Sequence, residues 1–125
     1  MKQHKASIKV TSRSFSRHPV LKQELLELFP NSVFNTDGPP TGLPNIAEFL
    51  KDADGVILGL EEIDRHVLQQ LENVKIIAKY GVGLDNLDVS SAEDLGITIG
   101  WTGGVNKRSA SEQALGFMLG LSRNL

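Results

Sequence analysis

Apolar and polar positions along this chain fall into short runs with two different periods, and the switches between them divide it into strands and helices. Ala6-Ser7-Ile8-Lys9-Val10-Thr11 alternates residue by residue, as a strand does. Pro19 opens a helix carrying Val20, Leu21, Leu25, Leu26 and Leu28, and Pro30 stops it. Ser32-Val33-Phe34 is a short second strand, and Asp37-Gly38-Pro39-Pro40 is a turn. A short helix carrying Ile46, Phe49 and Leu50 follows. Asp54-Gly55-Val56-Ile57-Leu58 is nearly all apolar, the pattern of a strand buried on both faces. A helix from about Asp64 presents Val67, Leu68 and Leu71 on one side. Val74-Lys75-Ile76-Ile77-Ala78 is a fourth strand, ending at Gly81-Val82-Gly83. Another helix covers about Val89 to Leu95, closed by Gly96 where a carboxyl cap favours glycine. Ile97-Thr98-Ile99 is the fifth strand, and Ser109 to Leu121 is helical in pattern.

Strand and helix alternate through five strands, with connections too long for hairpins, and no internal repeat is present. The expected fold is α/β: a flavodoxin-like, doubly wound five-stranded parallel sheet ending in a long apolar helix. Ligands of such sheets bind beyond the carboxyl ends of the strands, where the strand order reverses. That directs attention to Ser12 to Ser16, Gly59-Leu60, Gly81-Val82-Gly83 and Thr102 to Asn106.

Composition narrows the chemistry more than the fold. The 125 residues suit one domain, and the absence of cysteine removes disulfides, thiolate metal sites and cysteine nucleophiles. A formal charge of −2 argues against a nucleic-acid partner. Lys2, Lys5 and Lys9 read as a solvated amino-terminal strand edge. Met1 is followed by polar and charged residues rather than an apolar signal core, and no apolar run approaches the roughly 18 residues a membrane span needs. A cytoplasmic location is the expectation. No metal site is expected, and His66, four residues after Glu62, is expected to form a surface ion pair rather than a catalytic dyad.

Gly81-Val82-Gly83-Leu84-Asp85-Asn86 follows a strand but fails the dinucleotide fingerprint. Asn86 stands where the third glycine belongs, and no helix starts directly behind it. The two glycines allow close backbone approach to a ligand, and successive free amides can hold a carboxylate. The same spacing also serves a plain tight turn.

The run Ile76 to Asp88 resembles the Gly-x-Gly-x-Asp-x-(Ile/Val)-Asp stretch of the D-isomer-specific 2-hydroxyacid dehydrogenases, its phosphoglycerate dehydrogenase-like branch in particular. Ala92 to Ile99 is similar to that family's Ala-x-x-x-Gly-Ile-x-Val, and Asn106 with Ser111-Glu112 to its Asn-x-x-x-(Val/Ala)-Ala-Glu. The resemblance covers roughly residues 52 to 125, while the first fifty agree only in fold pattern. It implies that Gly81, Val82 and Gly83 hold a substrate carboxylate through the backbone. Asn106 would sit near the substrate and nicotinamide at a domain junction, although asparagine also caps helices well. Gly59 and Leu60 would shape the far side of the pocket. Phosphoglycerate dehydrogenases tend to carry Arg-Ser there, so Gly59-Leu60 speaks against a phosphorylated substrate. Lys79 and Tyr80 suit the pocket or the surface equally, Gly103 and Gly104 suggest a loose hinge, and Trp101 is expected in the core.

The same resemblance divides the chain into a substrate-binding domain, residues 1–103, and a hinge with the first helix of a cofactor-binding domain, residues 104–125. The family's Gly-x-Gly-x-x-Gly loop and its catalytic Arg, Glu and His would lie past Leu125, so the chain itself is expected to hold no catalytic residue. NAD or NADP is expected of the parent enzyme, none of this chain, and no turnover of the 125 residues alone. The stop directly after the helix suits a truncated product. Glu112–Leu121 is apolar almost all round, as a buried helix is, with Gly116 and Gly120 allowing close approach. It is expected to form a homodimer unless it folds back on its own sheet. The alternative is a stand-alone flavodoxin-like module that binds a small carboxylate or a protein without catalysis.

Overall fold

The computed structural model describes residues 2–39 and 42–124. Five strands, β1 (Ile8–Val10), β2 (Val33–Phe34), β3 (Gly55–Leu58), β4 (Ile76–Lys79) and β5 (Thr98–Gly100), form one sheet in the order β2-β1-β3-β4-β5. Every neighbouring pair is parallel. This is the flavodoxin-like order, and the direction of winding reverses between β1 and β3. Six helices connect or follow the strands: α1 (Arg13–Arg17), α2 (Pro19–Leu28), α3 (Ile46–Leu50), α4 (Arg65–Leu68), α5 (Val89–Asp94) and α6 (Lys107–Ser122).

The apolar runs become the core as their pattern requires. Val56 and Leu58 of β3 and Ile77 of β4 pack with Leu50, Leu68, Leu71, Ala92 and Ile97 into one buried cluster. Polar residues set the helix starts. Asp64 accepts from the Val67 N–H at 2.8 Å and begins α4. Asp88 accepts from the Ser91 hydroxyl at 2.6 Å and the Ser91 N–H at 3.0 Å and begins α5. Those two bonds hold the Asp88 carboxyl below its ordinary range. Gly96 takes the left-handed conformation, φ +73°, that ends α5.

Several expectations need correction. The residues after β1 are not a loop: Ser12 accepts from the Phe15 N–H at 3.2 Å and starts α1. β1 is not an edge strand, since it pairs with both β2 and β3. Lys2 and Lys5 are exposed, while Lys9 reaches across to the Lys51 carbonyl. Glu62 and His66 form no ion pair, because α4 begins only at Arg65 and the helical spacing does not reach back to Glu62. Among the described residues the ion pairs are Arg65–Asp94 and Arg108–Glu112. The final helix is present, but Lys107, Arg108, Ser111 and Glu112 give it a polar first half, so it is not apolar throughout. None of α6 is buried, and it does not fold back on the sheet. Of the turn expected at Asp37–Pro40, Pro40 lies outside the described residues, as do Met1 and Leu125. No helix among the described residues is long and apolar enough to cross a membrane.

Candidate functional site

The carboxyl ends of β1, β3 and β4 meet where the winding reverses, and a small set of polar groups holds them together. The Thr11 N–H donates to the Ile57 carbonyl at 3.0 Å, and the Tyr80 N–H to the Leu58 carbonyl at 2.8 Å. The Thr11 hydroxyl accepts from the Gly59 N–H at 2.9 Å and donates to Glu61 Oε2 at 2.5 Å. Glu61 is only 2% exposed, and its other oxygen, Oε1, has no partner. Position 59 is tight: a Cβ there would stand 3.0 Å from the Ser12 Cβ and 3.1 Å from both the Ser12 Cα and Glu61 Oε2, so these neighbours would have to give by a few tenths of an ångström.

Asn86 ties the β3 turn to the β4 turn. Its Nδ2 donates to the Gly59 carbonyl at 3.1 Å and to the Glu61 carbonyl at 2.7 Å, while its Oδ1 accepts from Lys79 Nζ at 2.8 Å. Lys79 Nζ also donates to the Gly59 carbonyl. Partial burial lowers the pKa of the Lys79 ammonium, and the charges of Asp85 and Glu61 work against that shift. Lys79 is thus a structural clasp that also borders the pocket side of the sheet.

Beyond this clasp the chain passes through Gly81, whose φ of +150° is open to glycine and strained for other residues. The backbone N–H groups of Val82 and Gly83 donate to no acceptor among the described residues. Gly81 and Val82 are exposed and Gly83 is half-buried, so these donors remain available to a ligand. Trp101 corrects another expectation. It is 46% exposed rather than in the core, and its indole Nε1 donates to the Val82 carbonyl at 3.0 Å. Its ring lies over Gly103, where a Cβ would come within 2.6 Å of Cη2. Gly103 therefore seats an aromatic ring, which the sequence suggested only as hinge looseness. Trp101, Tyr80, Gly81, Val82, Thr102 and Val105 border an open cleft of about 320 Å³.

A second cleft, about 700 Å³, lies directly at the winding reversal. Ser12, Arg13, Ser14 and Arg17 form one wall, and Gly59, Leu60 and Tyr80 the other. Tyr80 borders both clefts and packs edge-on against Phe15 of α1, with ring centroids 5.3 Å apart.

Of the residues singled out in the sequence, Gly59 and Leu60 line the larger cleft and Gly81 and Val82 the smaller. Gly83 follows on the same loop with its N–H free. Asn106 is apart from them: it is exposed, borders neither cleft, and makes no capping bond to α6 although it precedes the helix. Arg17 and Glu61 were not singled out, and Arg13 was marked only as part of the stretch from Ser12 to Ser16. A five-residue helix has too few positions to show a period, so its arginines read as loop residues. Asn86 was legible only as a failed glycine.

The residues present do not fit a dinucleotide. Asn86 fills with side-chain bonds the space a phosphate loop leaves to glycine, and no helix opens behind Gly83 before Val89. Among the described residues no group of three or more His, Asp or Glu could hold a metal ion.

Comparison with known proteins agrees with this geometry. Residues 14–116 match the family pattern described as D-isomer specific 2-hydroxyacid dehydrogenase, catalytic domain. The D-3-phosphoglycerate dehydrogenase of Methanocaldococcus jannaschii is 34% identical over 88 residues, covering 68% of this chain and 17% of that protein. The glyoxylate reductase of Thermococcus litoralis is 31% identical over 88 residues, covering 70% of this chain and 26% of that protein. A solved structure from Thermus thermophilus superposes with a TM-score of 0.75 at 25% identity, over 94% of this chain and 37% of that one. The NAD+-bound 3-phosphoglycerate dehydrogenase of Entamoeba histolytica gives 0.69 at 25% identity, over 94% of this chain and 39% of that one. The chain thus spans well under half the length of each of these proteins. The match over residues 14–116 shows the family: the chain belongs to the D-isomer specific 2-hydroxyacid dehydrogenases, in the catalytic domain of that family.

Proposed function

We propose that this chain is the substrate-holding part of an NAD(P)-dependent D-2-hydroxyacid dehydrogenase, with the carboxylate of a 2-keto or 2-hydroxy acid received by the Val82 and Gly83 amides. The observation that carries this reading is the pair of N–H groups, unengaged among the described residues, on a glycine loop at the carboxyl end of β4. Such amides form a concavity for an anion, and each bond to a carboxylate is charge-assisted. Gly59 and Leu60 bound the far side of the pocket, and Asn106 meets the ligand only when residues from outside this fold close over it. Relatives named for glyoxylate, hydroxypyruvate and 3-phosphoglycerate share a 2-hydroxy or 2-keto acid as reactant, which supports the class. Hydride transfer needs a held nicotinamide and an acid–base group beside the reacting oxygen. The described residues offer a cradle for neither, so the isolated 125 residues turn nothing over.

Titrating the chain with pyruvate, glyoxylate and hydroxypyruvate, followed by amide NMR, tests this. Shifts centred on Gly81 to Gly83 are expected with the acids and none with NAD. Saturable NAD binding contradicts the assignment, and silence with every acid turns the reading to a protein-binding module.

Residues 104–125 serve as the hinge and first helix leading to the cofactor-binding part. Between Trp101 and Asn124 no residue is buried, which supports a segment built to pack against something else. Leu115, Phe117, Met118, Leu119 and Leu121 are each at least 57% exposed, an apolar surface that favours a homodimer through α6. Light scattering should give twice the chain mass; a monomer at every concentration removes the dimer.

A further inference from the structure

We propose that the larger cleft is an anion subsite, in which Arg13 and Arg17 receive a second negative group, phosphate or carboxylate, carried at the far end of the substrate. It deepens the function proposed above and rests on that reading for where the substrate's first carboxylate lies. The charge that the β3 turn lacks at Gly59-Leu60 is supplied from the opposite wall by α1. A phosphorylated or dicarboxylic acid is therefore compatible with this chain, against the expectation drawn from that turn alone.

Two guanidinium groups border the cleft and no carboxylate does. Neither arginine takes part in an ion pair among the described residues. Arg17 spends its Nε on the Thr36 carbonyl, at 3.0 Å, which fixes the side chain and leaves its terminal nitrogens to a ligand. Arg13 Nε is buried with no acceptor. A desolvated donor left unmatched costs free energy, so this group calls for a water or a bound oxygen beside it. The rigid donor fork of arginine matches the oxygens of a phosphate or carboxylate two at a time. The Ser12 and Ser14 hydroxyls are hydrogen-bonded to each other at 3.0 Å on the same wall, which leaves one O–H of the pair as a further donor. Tyr80 borders both this cleft and the one beside Val82, so the two clefts share a wall.

The test compares pyruvate, which has one anionic group, with 3-phosphohydroxypyruvate and 2-oxoglutarate, which have two, and adds inorganic phosphate alone. Calorimetry gives affinities and amide NMR gives positions, on the whole 125-residue chain. Both doubly anionic acids should bind about tenfold more tightly than pyruvate at low salt, moving amides of Ser14 to Arg17 as well as Gly81 to Gly83. The tighter of the two identifies phosphate or carboxylate as the preferred group. In Arg17→Gln, and in Arg13→Lys, which keeps the charge and loses the fork, the ratio should fall towards one. Arg17 is exposed, so its variant folds. Equal affinity for all three acids in the unaltered chain, or a ratio unmoved by Arg17→Gln, overturns the subsite. The two readings fail separately. Inorganic phosphate shifting Ser14 to Arg17 while no acid moves Gly81 to Gly83 removes the carboxylate cradle and supports the subsite. Pyruvate moving Gly81 to Gly83 with no gain from a second charge does the reverse.

Discussion

Replacing Asn86 with alanine should lower stability by about 2–4 kcal/mol and loosen both clefts together. The side-chain amide donates to two carbonyls of the β3 turn, Gly59 and Glu61, and accepts from the Lys79 ammonium. Among the described residues no other side chain of the loop after Gly83 hydrogen-bonds to the β3 turn. Each such bond contributes about 0.5–1.5 kcal/mol net, and the one from a charged donor about 1.5–3. Truncation also leaves Lys79, already strained towards its neutral form by burial, with the Gly59 carbonyl as its remaining acceptor. Urea unfolding measures the loss, and an unchanged slope would show that only stability moved. A loss smaller than about 0.5 kcal/mol would mean that water replaces the amide and that the clasp is incidental.

The second large effect falls on binding rather than stability. Gly81→Ala should weaken 2-keto acid binding about ten- to a hundredfold, with a much smaller effect on the melting temperature. A residue with a Cβ is strained at φ +150°, at a cost of about 1–3 kcal/mol. The new Cβ would also stand 3.3 Å from Cε of Lys79, which is held by Asn86 and cannot withdraw freely. Gly81 lies in an exposed loop, so the backbone relieves the strain by rotating, and the Val82 and Gly83 N–H groups turn with it. Titration of the variant beside the parent, each with its thermal unfolding curve, separates the two effects. Unaltered affinity would show that the amides of this loop do not hold the acid.

The sheet and its order were readable because long-range packing left a regular mark on the sequence. Val56, Leu58 and Ile77 are apolar because they are buried, and crossovers too long for hairpins leave few topologies open. The glycine loop was readable as a place of close approach, since Gly81 needs a conformation few other residues accept. Side-chain partnerships were not readable. Asn86 bonds to groups 25 and 27 residues earlier, and nothing local marks that choice. Trp101 is apolar enough for the core, but β5 ends at Gly100 and carries it past the sheet to the rim, where its indole finds the Val82 carbonyl. Arg17 escaped notice, and Arg13 was marked only by its place after β1, because α1 is held by its Ser12 cap and its contacts with β1 and α2, not by an apolar stripe. The apolar second half of α6 was legible as composition, but not that it stands off its own sheet, because where a helix packs depends on a partner surface that composition cannot name.

Positions 59 and 60 sit side by side yet have opposite freedom to change. Leu60 is 70% exposed, and a new side chain there displaces only solvent. At position 59 a Cβ would stand 3.0 Å from the Ser12 Cβ and 3.1 Å from the Ser12 Cα, so a side chain fits only where Ser12, which caps α1, gives by a few tenths of an ångström. Position 60 can therefore vary independently of its surroundings, whereas a change at position 59 is coupled to the start of the helix that carries Arg13 and Arg17. The two walls of the cleft are tied together at one residue and left independent at the next.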